Sequence, residues 1–166
     1  MIFIPKYKNL IELEGSVSFV LTDTLTNTVR QELYVPNLVV TSGKGFIASR
    51  MIGTSATTMS HMGIGTSSTA EVVGDTALGA ELTVAGGYTS YARQTVSASN
   101  PTANQVQYTC TFAANIPSAP SGGAILREAG IFNASTGGTM LCRTVYPTVT
   151  KLPADALTIT WTITVN

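Results

Sequence analysis

Apolar positions in this chain recur at every second residue far more often than at helical spacing. The clearest run is 157–166, where Leu157, Ile159, Trp161, Ile163 and Val165 alternate with Thr158, Thr160, Thr162 and Thr164. That period belongs to a strand with one apolar face and one hydroxyl face. A solvated strand face commonly carries Lys or Glu; four threonines suit close, lightly hydrated contact with a neighbouring sheet or chain. Upstream, Ser16 to Asp23 sets Val17, Phe19 and Leu21 on one side, turns over Thr24 to Asn27, and returns over Val29 to Val35 as a hairpin. Gln105 to Ala113 directs Val106, Tyr108, Cys110 and Phe112 inward and Gln107, Thr109 and Thr111 outward. Together with Tyr91 to Ala98 it flanks a turn at Ser99 to Thr102. Shorter strands are predicted over Ser60 to Gly65, Ile125 to Asn133 and Thr139 to Val145, the last two joined by a turn at Ser135 to Gly138. Pro147 to Pro153 then links to the terminal strand.

Helical signals are few. Pro36 and Asn37 stop the first hairpin, and Thr41-Ser42-Gly43 offers an N-cap to a helix over Lys44 to Met51. Its buried stripe would be Phe46, Ile47 and Met51, with Gly53 closing it. Asp75 would cap a single helical turn in Asp75 to Leu82. Residues 1–15 show no period and read as an arm or edge strand, whose Ile2, Phe3, Ile4 and Tyr7 are candidate contacts with another subunit. Roughly seven to nine short strands with punctuating turns predict a mainly β chain, an antiparallel sandwich or jelly-roll-like fold. One short helix and an N-terminal arm complete it, with a single domain over 16–166.

Composition sharpens this picture. The chain has 166 residues, enough for one domain with a real core. Only 11% of them are charged, nine basic and nine acidic, against about 25% in ordinary soluble domains. A subunit that buries much of its surface in an assembly has less need of surface charge. Zero net charge without Lys/Arg runs argues against nucleic-acid binding. No stretch is apolar for long enough to span a bilayer as a helix. Pro5, Lys6 and Lys8 interrupt the core a signal peptide needs, so the reading is a chain made in a cytoplasm. Cys110 and Cys142 then read as two buried thiols, with a cross-strand disulfide as the alternative.

The chemistry-bearing residues are sparse. His61 is the single histidine, and it and two distant cysteines make no metal-ligand spacing. Gly63-Ile64-Gly65-Thr66 lacks both the lysine of a phosphate loop and the third glycine of a dinucleotide fingerprint. Glu71, Asp75, Glu81, Glu128 and Asp155 are scattered singly. No catalytic residue, cofactor or metal is assigned. Arg127 and Glu128 stand side by side in the apolar run AILREAGIF, so one of them faces inward and needs a partner. Arg93 and Arg143 are the candidates for Glu128, in a structural ion pair rather than a charged pocket.

Two stretches resemble small structural proteins of tailed bacteriophages. Met62 to Thr66 (MGIGT) followed by Gly74 to Leu82 (GDTALGAEL) is similar to a strand-and-turn segment of tail-fibre and virion proteins. Arg127 to Asn133 (REAGIFN), then Gly138 to Arg143 (GTMLCR), Pro147, Lys151 and the terminal strand, resembles the closing hairpin of tail-collar fibre modules. The resemblance implies a non-enzymatic particle component. In it Gly63 and Gly65 would allow a tight strand exit, Asp75 would cap the turn, and Glu128 would anchor the hairpin. No shaft or coiled coil follows, which suggests a stand-alone tail, collar or baseplate subunit, or a capsid cement (decoration) protein. Its partners would be other virion proteins (tail, neck or major capsid protein) and further copies of itself. A carbohydrate- or receptor-binding module is a second class, with Tyr88, Tyr91 and Trp161 as the aromatics available for stacking.

Overall fold

The period-2 segments pair into two five-stranded antiparallel sheets in the computed structural model, which describes residues 11–54, 57–119 and 122–166. The strands are β1 (Leu13–Asp23), β2 (Thr28–Pro36), β3 (Leu38–Val39), β4 (His61–Gly65), β5 (Gln94–Thr95), β6 (Ser97–Ser99), β7 (Gln105–Phe112), β8 (Ala124–Phe132), β9 (Met140–Lys151) and β10 (Asp155–Val165). The single described helix, α1 (Thr41–Met51), lies between β3 and β4. The first sheet has the order β2-β1-β10-β7-β6 and the second β3-β9-β8-β4-β5. The expected mainly β sandwich with one short helix is therefore present.

The terminal strand is the spine of the first sheet, held on one side by β1 (Val17 opposite Trp161) and on the other by β7 (Tyr108 opposite Trp161). Its apolar residues Leu157, Ile159, Trp161 and Ile163 are buried together with Val17, Phe19, Leu21, Cys110 and Phe112. Met62, Ile64, Leu126, Ile131, Leu141 and Val149 meet them from the second sheet. The Phe19 and Tyr146 rings, one from each sheet, meet at a tilt of 40° with centroids 4.1 Å apart. Burying side chains of this size contributes roughly 1.5–3 kcal/mol each.

One irregularity in β8 matters for everything that follows. Leu126 pairs with Val149 but Glu128 with Val145, a register shift centred on Arg127. Before it Ala124 and Leu126 enter the core; after it Ala129 and Ile131 do. The alternation has changed parity, so Glu128, Gly130 and Phe132 turn to the opposite, outer face of the second sheet. A bulge is the ordinary device for re-aiming a side chain in this way.

Several local expectations need correction. The helix starts at Thr41, capped by the backbone of Val40 with no side-chain cap; Thr41 N–H instead donates to Val73 O at 2.8 Å. Met51 is not part of a buried stripe but 77% exposed, and the buried helical residue is Gly43, set against the Leu141 backbone. No helical turn forms over 75–82; the Asp75 carboxylate accepts Val72 N–H at 2.9 Å and a guanidinium instead. The strand expected over 91–98 is two short pieces, β5 and β6, in different sheets. The link expected over 147–153 is strand as far as Lys151. Residues 13–15 belong to β1, an inner strand; Ile2, Phe3, Ile4 and Tyr7 lie outside the described residues.

Candidate functional site

The outer face of the second sheet carries a buried charge network, and the bulge at Arg127 is what delivers Glu128 to it. Glu128 is fully buried. Its Oε1 accepts the backbone N–H of Ala80 at 2.6 Å and of Ser67 at 3.3 Å, and its Oε2 accepts Gly79 N–H at 2.9 Å. Arg143, on the neighbouring strand, donates to Oε2 through Nε at 2.9 Å, and its Nη2 lies 2.8 Å from the same oxygen as an ion pair. The same guanidinium reaches Asp75 Oδ2 at 2.8 Å and Thr69 O at 3.0 Å. Burial pulls the Arg143 pKa down, but the hydrogen bonds and charges of Asp75 and Glu128 outweigh it and the net shift is upward. The partners that these two side chains find outside β8 and β9 all come from the segment 66–93 that joins β4 to β5. One carboxylate and one guanidinium thus fasten a long segment to the sheet, with the full pairing a buried charge requires.

A second clasp closes the far end of that segment. Arg93 grips Glu81 with both arms, Nε to Oε1 at 2.7 Å and Nη2 to Oε2 at 2.8 Å. Its Nη1 donates to Gly137 O at 2.7 Å in the β8–β9 turn, and its guanidinium lies 3.4 Å above the centre of the Phe132 ring. Tyr91 donates its hydroxyl to Glu81 Oε1 at 2.9 Å and receives Ile64 N–H at 3.2 Å. Burial first, and the adjacent Glu81 charge second, push the Tyr91 pKa well up, so it stays a neutral donor.

The glycines of β4 acquire a different reason from the expected strand exit. A Cβ on Gly65 would stand 2.5 Å from Ala80 O and against the Glu128 carboxylate, and one on Gly63 would stand 3.0 Å from Glu81 Oε1. They are the space in which the two carboxylates lie. Gly63, Gly65, Asp75 and Glu128 are therefore one cluster, and three of the five acids that look isolated in sequence, Asp75, Glu81 and Glu128, converge on it. Arg143 is the partner of Glu128, while Arg93 serves Glu81. Arg127 is outside the cluster: half-buried at the bulge, it donates Nε to Thr148 Oγ1 at 3.1 Å. The Glu81–Arg93 pair was the feature that sequence reading missed; its one signal is an acid in the otherwise uncharged stretch Leu78 to Tyr91.

Other buried polar groups are likewise occupied in holding chain segments. Lys151 is 1% exposed and donates to Ala113 O at 2.9 Å; burial lowers its pKa to about 8 despite the nearby Asp155. Asp155 accepts Arg30 Nη1 at 2.7 Å and Leu152 N–H at 2.8 Å. Cys110 and Cys142 are free thiols, not a disulfide, and burial raises the Cys110 pKa to about 12. His61 bonds Ser60 Oγ at 2.8 Å. Among the described residues no cluster of three or more His, Cys, Asp or Glu is placed to hold a metal ion.

Two surfaces remain. The first is the outer face of the first sheet. Thr158, Thr160, Thr162 and Thr164 are half-buried there, flanked by Ser16 and Ser18 of β1 and Gln105 and Gln107 of β7. Gln105 Nε2 donates to Thr164 Oγ1 at 3.1 Å, Gln107 Nε2 to Thr162 Oγ1 at 3.3 Å, and Thr111 and Thr158 share a hydrogen bond of 3.0 Å. These cross-strand bonds set a regular lattice of hydroxyls and amides along a shallow hollow of about 520 Å³, with Tyr34, 76% exposed, on its rim. The second surface is an apolar groove of about 750 Å³ between the start of β1, β3 and α1. The aromatics proposed for sugar stacking do not form an exposed cluster: Trp161 is fully buried, and Tyr88 and Tyr91 pack against the core. No protein-family model, curated protein or solved structure matches the chain.

Proposed function

We propose that this chain is a non-enzymatic structural subunit of a tailed-phage virion that assembles in multiple copies as a tail, collar or baseplate accessory. Cementing of the capsid lattice is the alternative placement. The observation that carries the reading is the hydroxyl-and-amide face on the spine of the first sheet. Three pairs of its residues are bonded across strands, and the lining of the hollow is uncharged apart from Glu14 at one end. Such a face loses little side-chain entropy on contact and desolvates at lower cost than a Lys/Glu surface. The buried ionic groups support the same reading, because Glu128, Arg143, Glu81, Arg93, Lys151 and Asp155 are each committed to holding the chain together. A glycan-binding role is the second reading, and Tyr34 beside the amide-lined hollow is what favours it.

Light scattering on the purified protein tests the proposal. A discrete multi-copy mass is expected. Thr160→Lys, at the middle of the hydroxyl face, should lower that mass while leaving the melting temperature within about 2 °C, the usual range for a surface change. Peptide mass spectrometry of purified phage particles from the host encoding this chain should find it in stoichiometric amount. A strictly monomeric protein absent from particles would overturn the reading, and binding to a glycan array lost in Tyr34→Ala would replace it with the second.

A further inference from the structure

The hydroxylic outer face of the first sheet is stepped from one edge to the other. Strand pairing sets its residues in rows across the five strands. One row runs Tyr34, Ser18, Thr160, Thr109, Ser97, and the next Pro36, Ser16, Thr162, Gln107, Ser99. Thr160 and Thr162, on the central strand β10, are the midpoints of these rows. Bulk and charge differ on the two sides of that midline. On the β1 and β2 side Tyr34 stands 76% exposed, and Glu14 and Glu32 are exposed beside it. On the other side the rows end in the short, exposed Ser97 and Ser99, with the Gln107 amide between Ser99 and the spine. Neither β7 nor β6 carries a charge.

We propose that this face is a two-fold contact with a second copy of the chain, the two sheets stacked face to face with the axis running along β10. Stacked sheets lie about 10 Å apart with their strands within about 30° of one another. Rotation about β10 turns each row end for end without sliding it along the strands. Thr160 then meets Thr160, and Tyr34 comes down on Ser97, so the tall edge of each copy covers the low edge of the other. Glu14 and Gln105 share a row with Thr164, so each Glu14 is set over an amide that donates. An axis across the strands does the opposite. It places tyrosine edge on tyrosine edge, leaves the serine edges facing a gap, and gathers Glu14 and Glu32 of both copies on one side, where like charges repel. Hydroxyls and amides both donate and accept, so the spine can pair with its own copy, whereas a charged partner finds no counter-charge over β7 or β6. The area also suffices. A sheet about 24 Å wide with a spine of about 34 Å offers roughly 700 Å² once the short β6 is allowed for, close to the roughly 800 Å² each partner gives to a standard stable interface. A two-fold contact closes on two copies, so any larger assembly contains an even number of chains.

Such a contact deepens the multi-copy reading and rests on it. Full-length Thr160→Cys is treated with a short bis-maleimide; Cys110 and Cys142 are buried, and the parent serves as the blank. A cross-linked dimer is expected, in about tenfold or greater excess over Leu25→Cys, whose residue is 83% exposed at the β1–β2 turn and registers chance collision. Thr162→Cys repeats the test one row along, should Thr160→Cys not melt like the parent. Pro36→Cys and Ser99→Cys, from opposite ends of one row, should stay unlinked alone and form a dimer when mixed and left to exchange. A link within Pro36→Cys alone puts like edges together and overturns the axis along β10. A parent of multi-copy mass in which neither spine variant is linked, or an odd copy number by light scattering, overturns the face-to-face contact and leaves the assembly reading intact. A monomeric parent overturns both. A monomer whose Thr160→Cys also resists maleimide covers the face with the chain's own residues, and one that binds a glycan array through Tyr34 gives the face to a sugar; either outcome discards the second copy.

Discussion

At the scale of single residues, four charged groups, Glu128, Arg143, Lys151 and Asp155, sit where water does not reach. Glu128 has no exposure, four hydrogen-bond donors on its two oxygens and a second guanidinium nitrogen 2.8 Å away. Glu128→Gln keeps the shape but removes the charge that Arg143 was buried against. Breaking such a pair costs about 3–5 kcal/mol, so the melting temperature should drop by roughly 6–20 °C; a change under about 2 °C would show the pair to be dispensable. Lys151 acts in the other direction. Its proton leaves near pH 8 in the folded chain, whereas an unfolded lysine holds it until about 10.5. Between those values the unfolded chain binds more protons, so this group makes stability rise with pH. The raised thiols of Cys110 and Cys142 oppose it above pH 9, because the unfolded chain loses those protons first. The parent therefore has to be compared with Lys151→Met: from about pH 7.5 to 10.5 the stability of the parent relative to the variant should rise by on the order of 3 kcal/mol, read from denaturant melts. A difference that does not move with pH would mean Lys151 is not desolvated. Of these residues, Glu128 was legible, because a charge inside an apolar strand demands a partner; the sequence left Arg93 and Arg143 both open for that place, and the fold fills it with Arg143. Glu81 was not: it lies in a segment without periodicity, and its partner Arg93 is twelve residues away with nothing in either pattern to join them.

At the scale of elements, alternation predicted the long strands well and the short ones poorly. β1, β7 and β10 have one face in the core, so burial writes a period of two into their sequence. β5 and β6 are two and three residues long and lie at sheet edges, where half-exposed Ser, Thr and Gln carry no such pattern. β8 was placed but its faces were not, since a bulge reverses parity without leaving a mark in composition. The segment 66–93 is ordered by two ionic clasps rather than by local propensity, which is why an Asp-capped helical turn was expected and an ion-paired loop was found. Helix α1 shows how tertiary contacts override local signals. Its first turn is set by Val73 O and Met140 O, which accept from Thr41 N–H and Ser42 Oγ, and not by a side-chain cap. Gly43 is needed there because Leu141 backbone leaves no room for a side chain, but Gly45 faces open space. Gly45→Ala should therefore stabilise the protein by about 0.5–1 kcal/mol, seen as a rise of roughly 1–4 °C in thermal melts. A loss of stability would mean that this face of α1 is covered in the assembled protein.

At the scale of the whole molecule, interior and exterior divide the chemistry unequally. Three of the four ion pairs are largely shielded and fasten a loop to a sheet, Arg30 of the fourth is more open, and the two surfaces described above are hydroxylic and apolar. That division makes a prediction about how copies associate. Contacts driven by surface charge weaken with salt, because screening shortens the reach of exposed charges from about 30 Å at 0.01 M to about 8 Å at 0.15 M. Contacts through a threonine–glutamine lattice and an apolar groove have almost no such term, and apolar burial is strengthened by excluded salts such as sulfate. The assembled mass should accordingly hold constant from roughly 0.05 to 0.5 M sodium chloride and increase in ammonium sulfate, measured by sedimentation velocity on the intact chain. The internal clasps should be just as indifferent, since buried pairs are screened far less than exposed ones, so the melting temperature should track the assembly and not the chloride concentration. Dissociation in chloride would instead put the contact on the exposed charges of β2, Arg30 and Glu32, at the free edge of the first sheet. Since β2 is the longest edge strand among the described residues, the salt series separates edge-to-edge pairing from face-to-face stacking without any substitution.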